Sequence, residues 1–451
     1  MNFEFDLGDG FGNGNDREAA LDPLWDAGLD VVRKLEAQGY QAYLVGGCVR
    51  DRLMGRKLHD IDIATSAKPE EVTRAFARTL PTGIKHGTVT VMENGVPFEV
   101  TTFRREGGYS DGRRPDEVAF VGELREDLAR RDFTFNAMAF GSDGRVVDPF
   151  GGRDALRAGV VQCVGDASER FGEDALRMLR AVRFAAEFGF ELLPDVWEAI
   201  VCHRAKLSQV AVERVCAEWD KTMAGNGPEQ GCHYLFKSGL LGYVKEPLPA
   251  SVLHAAERYR LNGAGWEWDA WGSGEATGSG VSLPPLPLCG DVDVRWTALL
   301  CGIGVSSADA AELFRVLRLG GKRTDRVRSA VGLHERMSGC AEDERYEQWL
   351  FGVLDFGAGS AEDWLAATEP ADGELAELCR GWMRAIPATA ASALDVRGDE
   401  LAKALGRPAG PWVAELLRAL LEAVAFDEIA NSKTELLAAA KQWTERADGR
   451  A

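Results

Sequence analysis

The acidic pair Asp60 and Asp62 is the feature of the sequence with the clearest chemical use. Side chains alternate along a strand, so a strand here would place both carboxylates on one face and turn Ile61 and Ile63 into the core. Such a pair attracts hard divalent cations, which can activate a hydroxyl and stabilise a phosphate leaving group. Glu99, in another alternating run, is a candidate third carboxylate. An isolated D-x-D motif is more often a solvated strand edge, so the pair needs support from its surroundings.

A glycine turn supplies that support, in the stretch LVGGCVRDRLMGRKLHDIDIATS at residues 44–66. The strand that ends at Val45 runs into Gly46 and Gly47, where the missing Cβ lets backbone amides approach a triphosphate. Arg50 adds a fork-shaped cation that suits phosphate oxygens. A strand, a double glycine, an arginine and a helix within about twenty residues are far more specific together than D-x-D alone. The stretch predicts a metal-dependent nucleotide site.

A mixed sheet is needed to bring these residues together. Alternating runs around Asn94-Gly95 predict a hairpin, and a second is expected around Ser142-Asp143-Gly144, between FTFNAMAF and RVVDPF. The segments LDPLWDAGLDVVRKLEAQG and KPEEVTRAFARTL have helical spacing, and QAYLVGG is typical of a strand. Beyond Gly151 helical patterns dominate, so we expect an α+β fold in which a mixed α/β head is followed by all-helical domains.

The segment FGEDALRMLRAVRFAAEF predicts one amphipathic helix. At 100° per residue from Asp174, an apolar sector separates from a polar arc of about 180°. The apolar sector holds Ala175, Met178, Leu179, Val182 and Ala186, and the polar arc holds Asp174, Arg177, Arg180 and Arg183. Taken alone, this arc is an ordinary solvated face. Arg131, in RRDFTFNAM, is by itself either a helix-ending surface arginine or a phosphate ligand, and Asn136 is expected to face with Thr134 along the next strand.

The stretch GGCVRDRLMGRKLHDIDIAT resembles the signature of the class II tRNA nucleotidyltransferases and bacterial poly(A) polymerases, a branch of the polymerase β-like nucleotidyltransferases. The resemblance continues through KHGTVTV, FEVTTFR, RRDFTFNAMAF, DPFGGRDAL, FGEDALRMLRAVRFAAEFGF and VAVERVCAEWDKTM, over residues 38–225, and a weaker echo lies near the C-terminus. It implies a nucleotidyltransferase head, neck, body and tail. We expect a disordered extension at 1–20, the head at 21–152, the neck at 153–225, the body at 226–335 and the tail at 336–451.

The resemblance also implies a reaction, the addition of CMP and AMP from CTP and ATP to the tRNA 3′ end without a template. Asp60, Asp62 and Glu99 would be catalytic, with Mg²⁺ on Asp60 and Asp62. The nucleotide would be bound by Gly46, Gly47, Arg50, Arg131, Asp174, Arg177, Arg180 and Arg183. Of these, Asp174 and Arg177 would read the base, because a carboxylate accepts from the exocyclic amine of C or A and arginine donates to ring acceptors.

Three further segments have two interpretations each. Residues 103–120 occupy the place of the family's flexible loop, whose presence implies that AMP addition is possible, although the segment alone is a mobile connection. The Gly/Pro-rich residues 261–291 predict a loop, in which Trp266, Trp268 and Trp271 either stack on bases or pack on the body. The segment 315–328 is either a solvated basic face or a tRNA backbone contact, and its candidate RNA-binding residues are Arg315, Arg318, Lys322 and Arg323.

Composition limits the classes of function. The net charge of -19 argues against a protein that coats nucleic acid over its whole surface, so any RNA contact must be local. The nine cysteines are scattered without a C-x-x-C pair, which fits a reducing cytoplasm. The sequence predicts neither secretion nor a membrane span. The resemblance implies the tRNA acceptor stem, CTP and ATP as partners, and we expect no obligate protein partner.

Competing functions share part of this pattern. An A-adding specialist and a poly(A) polymerase use the same active site. A catalytically inactive RNA-binding platform is disfavoured by the intact Asp60, Asp62 and Asp174. An HD-type phosphohydrolase is suggested by His59-Asp60, but no second HD pair follows. A P-loop enzyme is excluded because the sequence contains no G-x-x-x-x-G-K-[ST].

Overall fold

The computed structural model describes residues 22–107, 117–262, 265–268, 274–277, 282–288 and 290–447. The chain divides into two compact units, one of 1–247 with 259–281 and one of 248–258 with 282–451. The expected fold class is confirmed, since a sheet near the N-terminus is followed mainly by helices. The predicted disordered extension lies outside the described residues. No described helix is long and apolar enough to cross a bilayer.

A seven-stranded sheet forms the core of the head. Its strands, in their order across the sheet, are β3 (Thr79–Gly83), β4 (Thr88–Glu93), β5 (Val96–Thr102), β2 (Asp62–Thr65), β1 (Ala42–Val45), β8 (Ala139–Phe140) and β9 (Val146–Val147). Strands β2 and β5 are parallel, and the other neighbouring pairs are antiparallel. The β4–β5 hairpin closes at Asn94 (φ 50°) and Gly95 (φ 82°), which confirms the prediction from this dipeptide.

Helices surround this sheet. Two predictions from the sequence differ from the structure here, one for the length of a helix and one for a strand. The helices are α1 (Pro23–Glu36), α2 (Gly47–Leu53), α3 (Pro69–Ala75), α4 (Leu124–Ala129) and α5 (Gly152–Ala158). Helix α3 is shorter than predicted, because the chain is already extended at Phe76 before β3 begins. The second hairpin exists as β8 and β9, but Thr134–Asn136 form a 3₁₀ turn. The expected alternation of Thr134 and Asn136 along a strand is therefore wrong.

The helices that follow belong to the first unit, and some of their residues form one wall of the candidate active site. They are α6 (Ala167–Glu173), α7 (Leu176–Phe188), α8 (Pro194–His203), α9 (Val212–Ala224) and α10 (Pro228–Ser238). Helix α7 buries its apolar side and packs on α9 and α10. A short parallel pair, β10 (Val160–Val161) with β11 (Glu191–Leu192), also lies among these helices.

The second unit is helical. Its helices after α11 (Ala250–Asn262), which contributes residues to both units, are α12 (Val292–Gly302), α13 (Ser307–Val316), α14 (Gly321–Ser338), α15 (Arg345–Phe356), α16 (Ala358–Thr368), α17 (Gly373–Ala385), α18 (Gly398–Leu405), α19 (Trp412–Ala425) and α20 (Lys433–Ala447). Buried Trp296, Trp349 and Trp364 lie in its core.

The predicted loop at 261–291 is wrong in part. Its described residues include an antiparallel pair, β12 (Gly265–Trp268) with β13 (Gly274–Thr277). Trp271 lies outside the described residues.

Candidate active site

Gly46, in the turn after β1, leaves room for the side chain of Arg131. Gly46 has φ 77° and ψ −129°, a conformation that residues with a Cβ avoid. A Cβ there would lie 2.5 Å from Nη1 of Arg131. Gly47 begins α2 and lines a cavity of about 680 Å³. The sequence explained both glycines by approach to a phosphate, and the structure adds the packing of Arg131 as a reason for Gly46.

Asp60, Asp62 and Glu99 line this same cavity. Asp62 begins β2 and is the register partner of Glu99 on the parallel strand β5, so their side chains share a face. Ile61 and Ile63 are buried as expected. Asp60 precedes the strand, however, so the prediction that both aspartates lie within it is wrong.

The acidic side of the cavity fits a cation that is only partly bound by protein. Burial raises the pKa of Asp62, Arg131 opposes the shift, and the charges of Asp60 and Glu99 add to it. Among the described residues, no three His, Cys, Asp or Glu side chains form a complete metal-binding group. Mg²⁺ typically takes one or two carboxylates and completes its shell with water and substrate phosphates. The oxygen donors of Asp60 and Asp62 fit that mode.

A second set of lining residues is basic. It consists of Arg50, Arg104, Arg130, Arg131, Arg177, Arg180, Arg183 and Arg214. Nε of Arg131 is buried without a hydrogen-bond partner in the described structure, and burial lowers the pKa of this guanidinium. Nε of Arg180 donates to Oδ2 of Asp132 at 2.7 Å. Despite its burial, the pKa of Asp132 is lowered by Arg180 and Asn136. The cavity therefore combines metal-binding carboxylates with guanidinium groups that suit a polyphosphate.

The side chain of Arg50 is held by several contacts that were not predicted from the sequence. Its Nε and Nη2 both donate to Asp51 at 2.9 Å, and its Nη1 donates to Oδ1 of Asn136 at 2.6 Å. The guanidinium lies 5.1 Å from the ring centre of Phe184 and 4.9 Å from that of Phe188. Arg50 thus joins α2 to α7 while it lines the cavity.

Asp174 is not part of a continuous helix, which corrects the helical-wheel argument. Helix α6 ends at Glu173, Asp174 is extended (φ −136°, ψ 105°), and α7 begins at Leu176. Oδ1 of Asp174 accepts from the backbone N–H of Leu176, the first residue of α7, at 2.9 Å. The break brings Asp174 to the same cavity as Arg183, although the wheel separated them.

The polar arc of α7, which taken alone is typical of a solvated face, is not fully exposed to solvent. Arg177 is only 8% exposed. Its Nη1 donates to Oε2 of Glu173 at 2.5 Å, and its Nη2 donates to the carbonyl of Arg130 at 3.1 Å. The apolar sector is buried as expected.

The loop at 103–120 begins and ends in a two-stranded ribbon, β6 (Arg104–Gly107) with β7 (Glu117–Phe120), whereas 108–116 lie outside the described residues. Glu106 accepts from Nε of Arg104 at 2.9 Å and from Nη1 of Arg130 at 3.0 Å. Buried Asp127 pairs with Arg130 at 3.0 Å. This ion-pair group, which was not predicted from the sequence, connects the ribbon to the end of α4 beside the cavity.

The basic segment at 315–328 lies in the second unit, and several of its charges are paired. Arg315 pairs with Glu312 at 2.5 Å, and Arg323 pairs with buried Asp293 at 2.6 Å. Arg318 has a left-handed backbone (φ 58°), and Lys322 is exposed. The four candidate RNA-binding residues therefore differ in how much of their positive charge is available to a ligand.

Three parts of the chain match family models. Residues 42–162 match the poly A polymerase head domain, 189–250 the "Probable RNA and SrmB-binding site of polymerase A", and 290–440 tRNA nucleotidyltransferase domain 2. A CCA-adding enzyme of Geobacillus stearothermophilus is 38% identical over 424 residues, which cover 93% of this chain and 97% of the relative. The chain belongs to the CCA-adding enzyme family. The resemblance in the sequence is therefore confirmed, and the protein is a nucleotidyltransferase.

Other CCA-adding enzymes are also similar to this chain over most of its length. That of Lactiplantibacillus plantarum is 35% identical over 414 residues, covering 92% of this chain and 95% of the relative. The crystal structure of the Bacillus stearothermophilus CCA-adding enzyme in complex with CTP superposes with a TM-score of 0.75 at 33% identity, covering 96% of this chain and all of that one. The Thermotoga maritima enzyme complexed with tRNA shares the fold, with a TM-score of 0.63 at 20% identity, over 94% of this chain and 97% of that one.

The sequence analysis missed other residues that line the cavity. They include Thr88, Thr101, Arg104, Glu106, Asp132, Phe184 and Arg214. Asp132 and Arg214 lie inside stretches that carried the resemblance, RRDFTFNAM and VAVERVCAEWDKTM. Their side chains were not assigned because their partners, Arg180 for Asp132 and Asp174 for Arg214, lie far away in the sequence.

Proposed function

We propose that this enzyme transfers CMP and then AMP from CTP and ATP to the 3′ end of tRNA, without a template and with release of pyrophosphate. The observation that carries the proposal is one cavity that holds Asp60, Asp62 and Glu99 together with Asp174 and a set of arginines. Relatives of nearly the same length are CCA-adding enzymes, and one similar structure contains CTP.

Asp60 and Asp62 would hold Mg²⁺, which, when bound, supplies Lewis-acid activation of the hydroxyl and neutralises phosphate charge. The RNA 3′ hydroxyl approaches the acidic side of the cavity, next to Glu99, and attacks the α-phosphate in line. Arg131, with its unsatisfied Nε, and Arg183 stabilise the charge of the triphosphate. Because the attack is direct, no covalent enzyme intermediate is needed.

Base selection rests on Asp174 and Arg177. A carboxylate has lone pairs beyond those used by the Leu176 N–H and by Arg214, so Asp174 can accept from the exocyclic amine of cytosine or adenine. UTP and GTP place a carbonyl oxygen there, which leaves a carboxylate opposite an acceptor and penalises them strongly. Arg177, fixed by Glu173, donates to a ring acceptor. The protein surface would thus take the role of a template.

The tRNA body would contact the second unit through Arg315, Arg318, Lys322 and Arg323, which supply local positive charge on an acidic protein. We place the reaction in the cytoplasm. The eight cysteines with described structure are all free, which suits a reducing compartment.

Length-resolved transfer assays test this proposal. The purified enzyme and Mg²⁺ are incubated with tRNAs that end before CCA, after C and after CC, with CTP, ATP or both. We expect CTP-dependent extension of the first two and one A on every CC end. Addition only to the CC-ended tRNA would identify an A-adding specialist, and long A tails would identify a poly(A) polymerase.

Asp60→Asn and Asp62→Asn test the carboxylates in the same assay. Each should lower the rate by at least about 10³-fold, because loss of metal-supplied stabilisation costs several kcal/mol of the barrier. Asp343→Asn, an exposed substitution in the second unit, is the matched control and should keep the wild-type rate. A carboxylate variant within tenfold of wild type would exclude the assignment of that residue.

A further inference from the structure

Two threonines that line the nucleotide cavity have no part in the reaction as described above. Thr88 on β4 and Thr101 on β5 are register partners, and their hydroxyl oxygens lie 3.0 Å apart. Both side chains are partly buried. Glu99 precedes Thr101 by two residues on the same strand, so the pair lies next to the acidic side of the cavity. A ligand that is already close to the carboxylates can therefore reach the two hydroxyls.

The two faces of β4 and β5 differ in their chemistry. Side chains alternate along a strand, so Thr88, Thr101 and Glu99 share one face of the sheet with Asp62. The opposite face is apolar and buried, and it carries Val89, Val91, Phe98 and Val100. Valine would supply the β-branched shape that favours a strand as well as threonine does. The hydroxyls are thus the feature of Thr88 and Thr101 that strand formation does not explain.

The order of the strands places the pair on the RNA side of the cavity. On one side of β2, β1 ends in the glycine turn at Gly46 and Gly47, whose backbone amides suit a triphosphate. On the other side of β2 lie β5 and then β4. In the reaction proposed above, the RNA 3′ hydroxyl approaches next to Glu99, which belongs to β5. The threonine pair is therefore a neighbour of the RNA end.

The chemistry of the pair suits a ribose hydroxyl. When one threonine hydroxyl donates to the other, one O–H and several lone pairs of the pair remain for a ligand. The last nucleotide of an RNA carries adjacent 2′ and 3′ hydroxyls. Glu99 and Thr101 are separated by roughly 7 Å along the strand, a distance that one ribose with both hydroxyls can span. With the 3′ hydroxyl at the carboxylates, the 2′ hydroxyl is the group that can reach the threonines.

We infer that Thr88 and Thr101 bind the 2′ hydroxyl of the 3′-terminal nucleotide of the RNA and thereby orient its 3′ hydroxyl for attack. The pair distinguishes an RNA end from a DNA end, because the 2′ hydroxyl is the group by which the two differ. The inference rests on the proposed function, since it needs the RNA 3′ hydroxyl to bind next to Glu99.

Addition of one AMP to two CC-ended tRNAs tests the inference. The tRNAs differ only at the 2′ position of the last C, which carries a hydroxyl in one and a hydrogen in the other. The wild type should use the ribose-ended tRNA with a kcat/KM about tenfold higher than the deoxy-ended tRNA. The double variant Thr88→Val/Thr101→Val should lose most of this preference, because valine keeps the branched shape without the hydroxyl. It should lose it through slower use of the ribose-ended tRNA.

Two further variants separate the hydroxyls from packing. Thr82→Val changes a similar pair on β3 and β4, in which the hydroxyl oxygens of Thr82 and Thr90 lie 2.8 Å apart. Neither of these two is among the described residues that line the cavity, so Thr82→Val should keep the full preference. Thr88→Ser/Thr101→Ser retains both hydroxyls and should keep most of it. If the double valine variant does not fold, Thr101→Val alone should lose part of the preference.

The outcomes separate this inference from the proposed function. Failure of the wild type to add AMP to the ribose-ended tRNA would refute the proposed function itself. Addition to both tRNAs with equal kcat/KM would refute only the role of the threonines, as would an equal loss of preference in Thr82→Val. ATP and 2′-deoxy-ATP are also compared on the ribose-ended tRNA. If the double valine variant loses only a preference between these two nucleotides, the threonines contact the incoming nucleotide and the inference is overturned.

Discussion

Gly46 shows how one residue meets two physical requirements. Its backbone, at φ 77° and ψ −129°, is costly for any residue with a Cβ, and the space that a Cβ would occupy is taken by Nη1 of Arg131. We predict that Gly46→Ala destabilises the fold by at least about 1–2 kcal/mol and raises the KM for CTP and ATP about tenfold, because Arg131 is displaced. Thermal unfolding and steady-state kinetics measure the two effects.

Gly55 provides a matched control for that substitution. It also has positive φ, at 65°, but no atom lies within 4 Å of the place where its Cβ would be. Gly55→Ala should therefore lose stability through backbone strain and keep the wild-type KM. An equal rise in KM in both variants would show that general strain, and not the position of Arg131, controls nucleotide binding.

At the scale of elements, the sequence was most informative where local chemistry decides the structure. The β4–β5 hairpin follows from Asn94-Gly95, which adopt positive φ readily. Asp174 shows the opposite case, because the stretch from Phe171 to Phe188 has no proline and continues a helical pattern past Gly172. At the break, Asp174 accepts from the N–H of Leu176 and from Arg214 on α9. Asp174 was visible in the sequence, but its distant partner was not.

Contacts between residues far apart in the sequence also limited the prediction of the candidate active site. The spacing of Asp60 and Asp62 predicted a shared face, and Glu99 was a candidate third carboxylate; all three line one cavity. By contrast, the burial of Arg177 and the contact of Arg50 with Phe184 and Phe188 depend on tertiary packing. A helical wheel assigns such arginines to solvent because it cannot represent a carboxylate or an aromatic ring on another element.

Helix α10 carries a buried histidine that predicts a pH dependence. Nδ1 of His233 lies 2.8 Å from the hydroxyl of Tyr259, and burial, with repulsion from Lys237, lowers the pKa of His233 to about 4. An unfolded histidine titrates near 6.5, so the unfolded state binds the proton more readily between these values. Stability present above pH 6.5 should be lost progressively as the pH falls toward 4, by roughly 1–2 kcal/mol at pH 5.

His233→Gln tests whether His233 causes this loss of stability, because glutamine keeps a hydrogen-bonding side chain and does not titrate in this pH range. Thermal unfolding of both proteins is followed at pH 7.5 and pH 5. The variant should lose less stability than the wild type between the two values. Equal losses would mean that other groups cause the acid sensitivity.

For the whole molecule, net charge sets a requirement on RNA binding. The chain carries a net charge of -19, so an RNA phosphate is repelled at long range and must be bound where cations are concentrated. In the second unit, the charges of Arg315 and Arg323 are already compensated by Glu312 and Asp293, whereas Lys322 is exposed at the start of α14. Lys322 should therefore contribute more to the salt dependence than the paired arginines.

We predict that Lys322→Gln raises the KM for tRNA a few-fold at physiological salt and reduces the slope of log KM against log salt by about one, since each phosphate contact releases about one counterion. The KM for CTP and ATP should not change, because the nucleotide cavity lies within the first unit. Lys68→Gln, an exposed lysine of that unit outside the matched RNA-binding residues 189–250, controls for the loss of one charge from the whole protein. An unchanged slope in Lys322→Gln would place the tRNA contact elsewhere, and an equal change in both variants would mean that net charge alone governs the attraction.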